Sequence, residues 1–286
     1  MTRTGRQEIY TCLNNNQDRN KRQSSGVGAS AVFACVGGIL DAFTYFGHGR
    51  VFANSMTGNV VLLGVDVMQE DWRQALRHLL PICSFFVGIS AARMFYVHPL
   101  SGRIQNPDLV VLTLEIALLG AIGCLPDASS GFLITTTIAF AASLQSEAFR
   151  SAEGFPFNST FTTGNLRALS ESVFDFLFDN SQFAARRMVR IFSVICSMFL
   201  FGAITGAFMT QRLHNKTLWI ASLMLAFLWV RLIPRTKGQT SAFTNKLGDA
   251  AKPISAVSHA SVETTCRHPS DRHGRMISTI KEQPLW

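Results

Sequence analysis

The chain has 286 residues, a net charge of +8 and only 15% charged residues, whereas a typical soluble domain has about a quarter. Its hydrophobic fraction is 48% and its mean hydropathy is +0.21, although both ends are polar. This composition excludes an ordinary soluble domain and indicates a membrane protein. Most of the excess positive charge lies in the tails, 1–25 and 236–286, and not on a basic face interleaved with aromatic residues. We therefore expect no nucleic-acid partner.

Metal and disulfide chemistry find no support in the sequence. The six cysteines are scattered without CxxC spacing, and cysteine inside an apolar segment behaves as a small hydrophobic residue. We predict no disulfide framework, no metal site and no cofactor.

Six apolar segments approach the length of about 20 residues that spans a bilayer. In chain order they are 27–47, 76–97, 108–125, 131–149, 188–210 and 216–233. The first begins after a long polar stretch, which favours a retained membrane anchor over a cleavable signal peptide. The sequence thus predicts an all-α integral membrane protein.

Two shorter stretches, 51–68 and 157–178, are harder to place. The second contains Arg167, Glu171 and Asp175, and each charge at a helix centre costs about 2.5–3.5 kcal/mol on insertion scales. We interpret both stretches as re-entrant or interfacial helices. This interpretation gives six spans, although eight would also leave both termini on one side.

The charge distribution predicts the orientation. Basic flanks mark the cytosolic side of a membrane protein, so both termini are expected in the cytosol. The predicted domains are a disordered basic tail (1–25), a membrane domain (26–235) and a second disordered basic tail (236–286).

An internal repeat organises the membrane domain. Asp41-Ala42-Phe43 and Thr57-Gly58-Asn59 recur 106 residues later as Glu147-Ala148-Phe149 and Thr163-Gly164-Asn165. Further on, 84–92 resembles 198–206, and both contain small residues four apart, which let helices approach closely. The repeats are 26–126 and 130–235. Since each has three spans, the second must be inverted, as in many secondary transporters.

At this point the sequence resembles a known family. The segment GGILDAFTYFGHGRVFANSMTGNVVLLG (37–64) is similar to the opening signature of the YoaK-like family of membrane proteins, and the second TGN near 163–165 follows the same pattern. The resemblance covers roughly 26–233. It implies a multi-span membrane domain and no particular substrate or reaction.

Asp41 and Glu147 are the first candidate site residues, because they occupy equivalent positions late in apolar helices. An acid inside the bilayer usually pairs or lines a cavity. One hypothesis is a proton- or cation-coupled pair. The alternative is that each acid caps a backbone turn or pairs with a nearby arginine, Arg50 or Arg150.

The TGN motifs and three further polar residues complete the predicted pathway. Thr57, Gly58 and Asn59, like Thr163, Gly164 and Asn165, are typical of helix starts, whose N–H groups attract anions. They are either binding elements or structural caps. Glu115 is a candidate proton relay, or it faces an interface or a partner. Gln145, with Ser146, would enlarge a polar cavity beside Glu147.

The leading functional hypothesis is a small-molecule carrier or exporter in which one repeat rocks against the other. We expect the lipid bilayer and an unidentified small molecule as partners. A homo-oligomer remains open, because Gly202 and Gly206 suit packing within one chain or between two. The alternatives are a membrane-embedded enzyme or pathway accessory, for which no HExxH, Walker loop or nucleophile elbow is present, and a non-transporting scaffold.

Overall fold

The computed structural model of the chain describes residues 24–97, 106–149, 151–152, 155–156, 162–178 and 182–250. Two compact units are distinguished, Met1–Ser241 and Ala242–Trp286. Of the second unit, only residues 242–250 are among those described.

The described residues are almost entirely α-helical. The helices in chain order are α1 (Val27–Gly47), α2 (Met56–Met68), α3 (Trp72–Val97), α4 (Pro107–Gly123), α5 (Gly131–Ala148), α6 (Thr162–Phe178), α7 (Gln182–Leu213) and α8 (Thr217–Ala250). A 3₁₀ turn, His214–Lys216, separates α7 from α8. Three strands of two residues each, β1 (Ser24–Ser25), β2 (Ser151–Ala152) and β3 (Phe155–Pro156), pair in that order, the first pair parallel and the second antiparallel.

Three stretches of the described chain are long and apolar enough to cross a membrane, namely Val27–Gly47, Trp72–Phe95 and Phe183–Ile233. The third contains α7 and α8, which are separated where His214 adopts a positive φ of 48°. α4 and α5 have 17 and 18 residues, which at 1.5 Å per residue makes each about 26 Å long. The integral membrane class is therefore supported, while the count of six spans stays a prediction.

The predicted tails fall largely outside the described residues. Residues 1–23 and 251–286 are not described, whereas α8 continues as a helix to Ala250. Residues 236–250, which were assigned to the disordered tail, are thus helical in the structure.

The tightest helix packing joins α1 to α7 through glycine. A Cβ at Gly202 would overlap the carbonyl oxygen of Cys35, and one at Gly206 would lie 2.7 Å from Cα of Ile39. Only residues without a side chain allow such an approach. Because the contact points advance together along both helices, α1 and α7 run parallel. Gly202 and Gly206 therefore pack helices within one chain.

A second glycine contact joins α3 to α5. A Cβ at Gly88 would overlap Oγ of Ser143 and lie 2.9 Å from the carbonyl oxygen of Phe140. Nearby, the hydroxyl of Ser84 donates a hydrogen bond to the carbonyl of Thr136 at 2.8 Å. These contacts also advance together, so α3 and α5 are parallel as well.

α1 lies in the interior of the bundle, where Phe33, Leu40 and Phe43 are fully buried. The main apolar core joins α1 with side chains of α4, α5 and α8, and a smaller core joins Ala34 of α1 with Ile191, Phe192 and Ile195 of α7. The loops after α1 and α2, which hold the polar residues considered next, lie at the end of the bundle where α1 ends and α3 begins.

Candidate functional site

Asp41 organises the loop that follows α1. Its Oδ1 accepts the backbone N–H of Asn54 at 2.7 Å, and its Oδ2 accepts the hydroxyl of Ser55 at 2.7 Å. The side chain is only 5% exposed. The amide of Asn54 in turn donates to the carbonyl of Gly37 at 3.1 Å. Asp41 therefore ties the loop before α2 onto the buried face of α1.

Asn59 closes the same loop from the other side. Its Nδ2 donates to the carbonyl of Phe52 at 2.7 Å, and its Oδ1 accepts the backbone N–H of Phe52 at 2.9 Å. An asparagine side chain that pairs with both backbone groups of one residue acts as a short piece of β-ladder. The residue that caps α2 is Ser55, whose side chain makes no capping hydrogen bond. The Asn of this TGN motif thus fixes the loop and does not cap the helix.

His78, on the first turns of α3, joins this network. Its Nδ1 lies 3.3 Å from Oδ1 of Asn59, and its Nε2 lies 3.2 Å from Oδ2 of Asp66. The imidazole is 2% exposed. Asn59 and Asp66 are seven residues apart, so they lie on one face of α2, two helical turns apart. A single imidazole therefore bridges both ends of that face.

Gln74 completes the group one turn before His78. Its Nε2 donates to the carbonyl of Gly49 and lies 3.4 Å from Nε2 of His78. Its Oε1 accepts Nη1 of Arg77 at 3.4 Å, and the guanidinium of Arg77 stacks over the ring of Phe132. We name the set Asn59, Asp66, Gln74 and His78 the imidazole cluster.

The second TGN motif is arranged differently. α6 begins at Thr162, and Asn165 is buried like Asn59. Thr163 and Gly164 are exposed, as is Thr57 in the first motif. A Cβ at Gly164 would meet no atom within 4 Å, whereas one at Gly58 would lie 2.9 Å from the ring of Phe52. The predicted TGN residues therefore divide: the asparagines are interior, and both threonines face outward.

Glu147 lies in the last turn of α5 and is buried, with 5% of its side chain exposed. Both oxygens of Asp41, its predicted partner, contact the loop after α1. The proposed Asp41–Glu147 pair thus remains a prediction. Neither Arg50, which is exposed with a positive φ of 60°, nor any other base neutralises Asp41 through a side-chain contact described in the structure.

Glu115 and Gln145 are buried polar residues of a different kind. Glu115 is 0% exposed, and neither of its carboxyl oxygens has a hydrogen-bond partner among the described residues. The same holds for both amide atoms of Gln145. Buried polar groups are nearly always hydrogen-bonded, so each of these needs an explanation. They lie on adjacent helices, α4 and α5.

Sequence reasoning missed His78, Gln74 and the role of Asp66. His78 lies within the predicted apolar span 76–97, and Asp66 within the stretch 51–68. A usable signal was present: Asn59 and Asp66 share one helical face, and Gln74 and His78 are four residues apart on the next helix. No group of three or more His, Cys, Asp or Glu side chains suited to hold a metal ion occurs in the described part of the chain.

Comparison with known proteins gives one family and one curated relative. Residues 29–230 match the family described as "Protein of unknown function (DUF1275)". The chain is 25% identical to UPF0700 transmembrane protein YoaK of Bacillus subtilis (strain 168) over 199 residues, which are 66% of this chain and 85% of the relative. No solved structure matches.

Proposed function

The chain belongs to the DUF1275 family, and we propose that this membrane protein is a carrier of small polar solutes with six spans in two inverted repeats. Both termini and their basic tails face the cytosol in this proposal. α2 and α6 are the re-entrant or interfacial helices.

The packing of the parallel helix pairs supports the inverted repeat. In a six-span topology α1 and α7 both run outward, and α3 and α5 both run inward, so each pair has to be parallel. An inverted repeat also relates α1 to α5 and α3 to α7. Under the offset of 106 residues, Cys35, which meets Gly202, corresponds to a position between Phe140 and Ser143, which meet Gly88. The two contacts are therefore equivalent.

Contacts at the helix ends agree with this topology. β1 pairs with β2, which brings the start of α1 and the end of α5 to one side, the cytosolic one. Asn215, between α7 and α8, donates to the carbonyls of Leu125 and Pro126 at the end of α4. The end of α4 therefore lies beside the turn between α7 and α8, and six spans would place both on the opposite side of the membrane.

The observation that carries the proposal is the burial of Glu115 without a hydrogen-bond partner in the described part of the chain. Such an acid destabilises a fold, and inside a membrane domain it marks a solute or proton pathway. Gln145 presents a second unsatisfied group on the adjacent helix. In this proposal the acid supplies acceptors and the amide a donor for a polar solute in an otherwise apolar core.

The test is uptake of radiolabelled amino acids, nucleosides, sugars and amines by proteoliposomes of the full chain, with and without a pH gradient. We expect gradient-dependent accumulation of at least one compound. Glu115→Gln should abolish it, since the residue lies on the pathway. The exposed Glu171→Gln is the matched control and should transport like the wild type.

A second measurement does not depend on knowing the solute. Ala53, in the loop held by Asp41, is fully buried. In a background without other cysteines, Ala53→Cys should react with a membrane-impermeant maleimide under one gradient and be protected under the other. Protection under every gradient, together with no uptake of any compound, would overturn the carrier.

A further inference from the structure

We infer that the imidazole cluster is a proton-binding site, in which a single proton is held between Nε2 of His78 and Oδ2 of Asp66 and locks α2 onto α3. The inference deepens the proposed function by naming the coupling ion.

The orientation of Asn59 determines the tautomer of His78. Nδ2 of Asn59 donates to a backbone carbonyl, that of Phe52, so the amide cannot be flipped. Its Oδ1 therefore faces Nδ1 of His78 at 3.3 Å. Because an amide oxygen only accepts hydrogen bonds, Nδ1 must carry a hydrogen.

Nε2 then faces two different neighbours at nearly equal distances. Oδ2 of Asp66 lies at 3.2 Å and Nε2 of Gln74 at 3.4 Å. The Gln74 amide is oriented by Arg77, which donates to its oxygen, so its nitrogen side points at the imidazole. Nε2 of His78 therefore has an acceptor on one side and a donor on the other.

Those two neighbours suit two different protonation states. With a proton between Nε2 and Oδ2, the imidazole holds Asn59 and Asp66 together, and the pair is neutral overall whichever atom carries the proton. Without it, two lone pairs oppose each other, and Nε2 accepts the N–H of Gln74 instead. Asp66 is then released, because its buried Oδ2 has no hydrogen-bond donor of its own among the described residues.

The charged and polar groups around the cluster are consistent with a bound proton. From α2 the cluster receives Asp66, and from α3 it receives Gln74 and the neighbouring Arg77. α5 contributes the ring of Phe132 against Arg77, and the loop after α1 contributes the carbonyl of Gly49. The imidazole itself is 2% exposed, so a proton held here is shielded from solvent.

Comparison with the second half of the chain indicates that the fold does not require the cluster. With the offsets of the repeat, Asp66 corresponds to Ser172, and His78 to Phe192. Ser172 bonds back to the carbonyl of Ala168 within its own helix, and Phe192 packs in the small apolar core. At these two equivalent positions, α6 and α7 thus carry no titratable group. A titratable pair that occurs in only one half is consistent with a role in coupling transport to protons.

The test is ¹⁵N NMR of the full chain in lipid nanodiscs, labelled at histidine, from pH 5 to 9. The signal of His78 is assigned by its loss in His78→Gln. We expect both ring nitrogens to show protonated character at acid pH, with Nδ1 remaining protonated after the second proton leaves. Asp66→Asn should move the midpoint to lower pH by about one unit, a tenfold loss of proton affinity.

Gln74→Met provides a second variant with the opposite expectation. It removes the donor that stabilises the deprotonated state, so the midpoint should rise. The exposed Asp175→Asn should leave it unchanged. A single neutral imidazole across the whole range, or variants that titrate like the wild type, would overturn the site.

Transport separates this inference from the proposed function. If the chain is a carrier, His78→Gln should lower pH-driven uptake at least tenfold while solute exchange at equal pH persists. Loss of both would contradict a coupling role. If the wild type carries nothing, the maleimide measurement decides the carrier, and the NMR titration alone decides the proton site.

Discussion

The carboxylate of Asp41 accepts the backbone N–H of Asn54 at 2.7 Å, which joins the buried face of α1 to the residues just before α2. With the hydroxyl of Ser55, it receives two hydrogen bonds. Hydrogen bonds to a charged group contribute about 1.5–3 kcal/mol each. We expect Asp41→Ala to lower the free energy of unfolding by about 3 kcal/mol, and Asp41→Asn by less, since it keeps one acceptor. Thermal unfolding in detergent measures this, with exposed Asp175→Ala as the control. Equal stability of Asp41→Ala and wild type would contradict the structural role.

The two outer positions of the first TGN motif should respond very differently to substitution. Asn59→Ala removes both hydrogen bonds to Phe52 and leaves its backbone groups unpaired, which costs about 2–4 kcal/mol. Exposed Thr57→Ala should stay within about 0.5 kcal/mol of wild type. Denaturation followed by intrinsic tryptophan fluorescence compares the two. Similar losses at both positions would show that the motif acts as a unit.

Glycine contacts between helices predict a second contrast. Gly202→Ala places a methyl group on the carbonyl of Cys35, and overpacking of this kind costs about 1–3 kcal/mol. Gly64, inside α2, has nothing within 4 Å, so Gly64→Ala should be neutral or stabilising by up to about 1 kcal/mol. Melting temperatures in detergent provide the comparison. A Gly202→Ala variant as stable as Gly64→Ala would disprove the close α1–α7 contact.

Replacing Glu115 should raise stability and abolish transport. Replacing an unpaired buried acid by an apolar residue removes the penalty of its burial, which is about 1–3 kcal/mol for a polar group without a hydrogen bond. Glu115→Leu should therefore unfold at a higher temperature than wild type and yet carry no solute. The same protein preparation serves the melting and the uptake measurements. A destabilised variant would mean that Glu115 has a partner holding the helices together.

His48, which follows α1, predicts a dependence of stability on pH. Burial lowers the pKa of its imidazole below the usual value, and the side chain of Asn215 and the charge of Asp127 oppose this only in part. The unfolded chain then binds a proton more readily, so stability is present above the unfolded pKa of about 6.5 and falls as the pH drops below it. His48→Gln should make that fall shallower in melting curves between pH 8 and 5. Parallel curves for the two proteins would exclude the effect.

Hydropathy and helical spacing predict the positions of most helices. The segment 27–47 coincides with α1, and 131–149 differs from α5 by one residue. α7 begins at Gln182, six residues before the predicted 188. Its first turns carry Arg186, Arg187 and Arg190 on a partly exposed face. These charges lower the average hydropathy, so the predicted apolar segment begins later than the helix does.

The candidate site was less accessible to sequence reasoning. Asp41 and Asn59 were found because they recur at one offset. Their contacts depend on how the loop 48–55 folds back over α1, which no local pattern specifies. Asp66 and His78 of the imidazole cluster have no titratable counterparts in the second half, so a search for repetition passes over them.

The glycine contacts carry a mechanical consequence. α1 belongs to one half of the chain and α7 to the other, yet they touch backbone to backbone, and α3 and α5 do the same. Halves that moved against each other would have to pull both contacts apart. We therefore expect α1 with α7, and α3 with α5, to stay together as two bodies in any large motion. The boundary between those bodies runs between α1 and α3, and there Asp41 holds the loop before α2 and Gln74 reaches the carbonyl of Gly49. If the two bodies turn against each other, we expect the polar network of the first half to lie at the hinge.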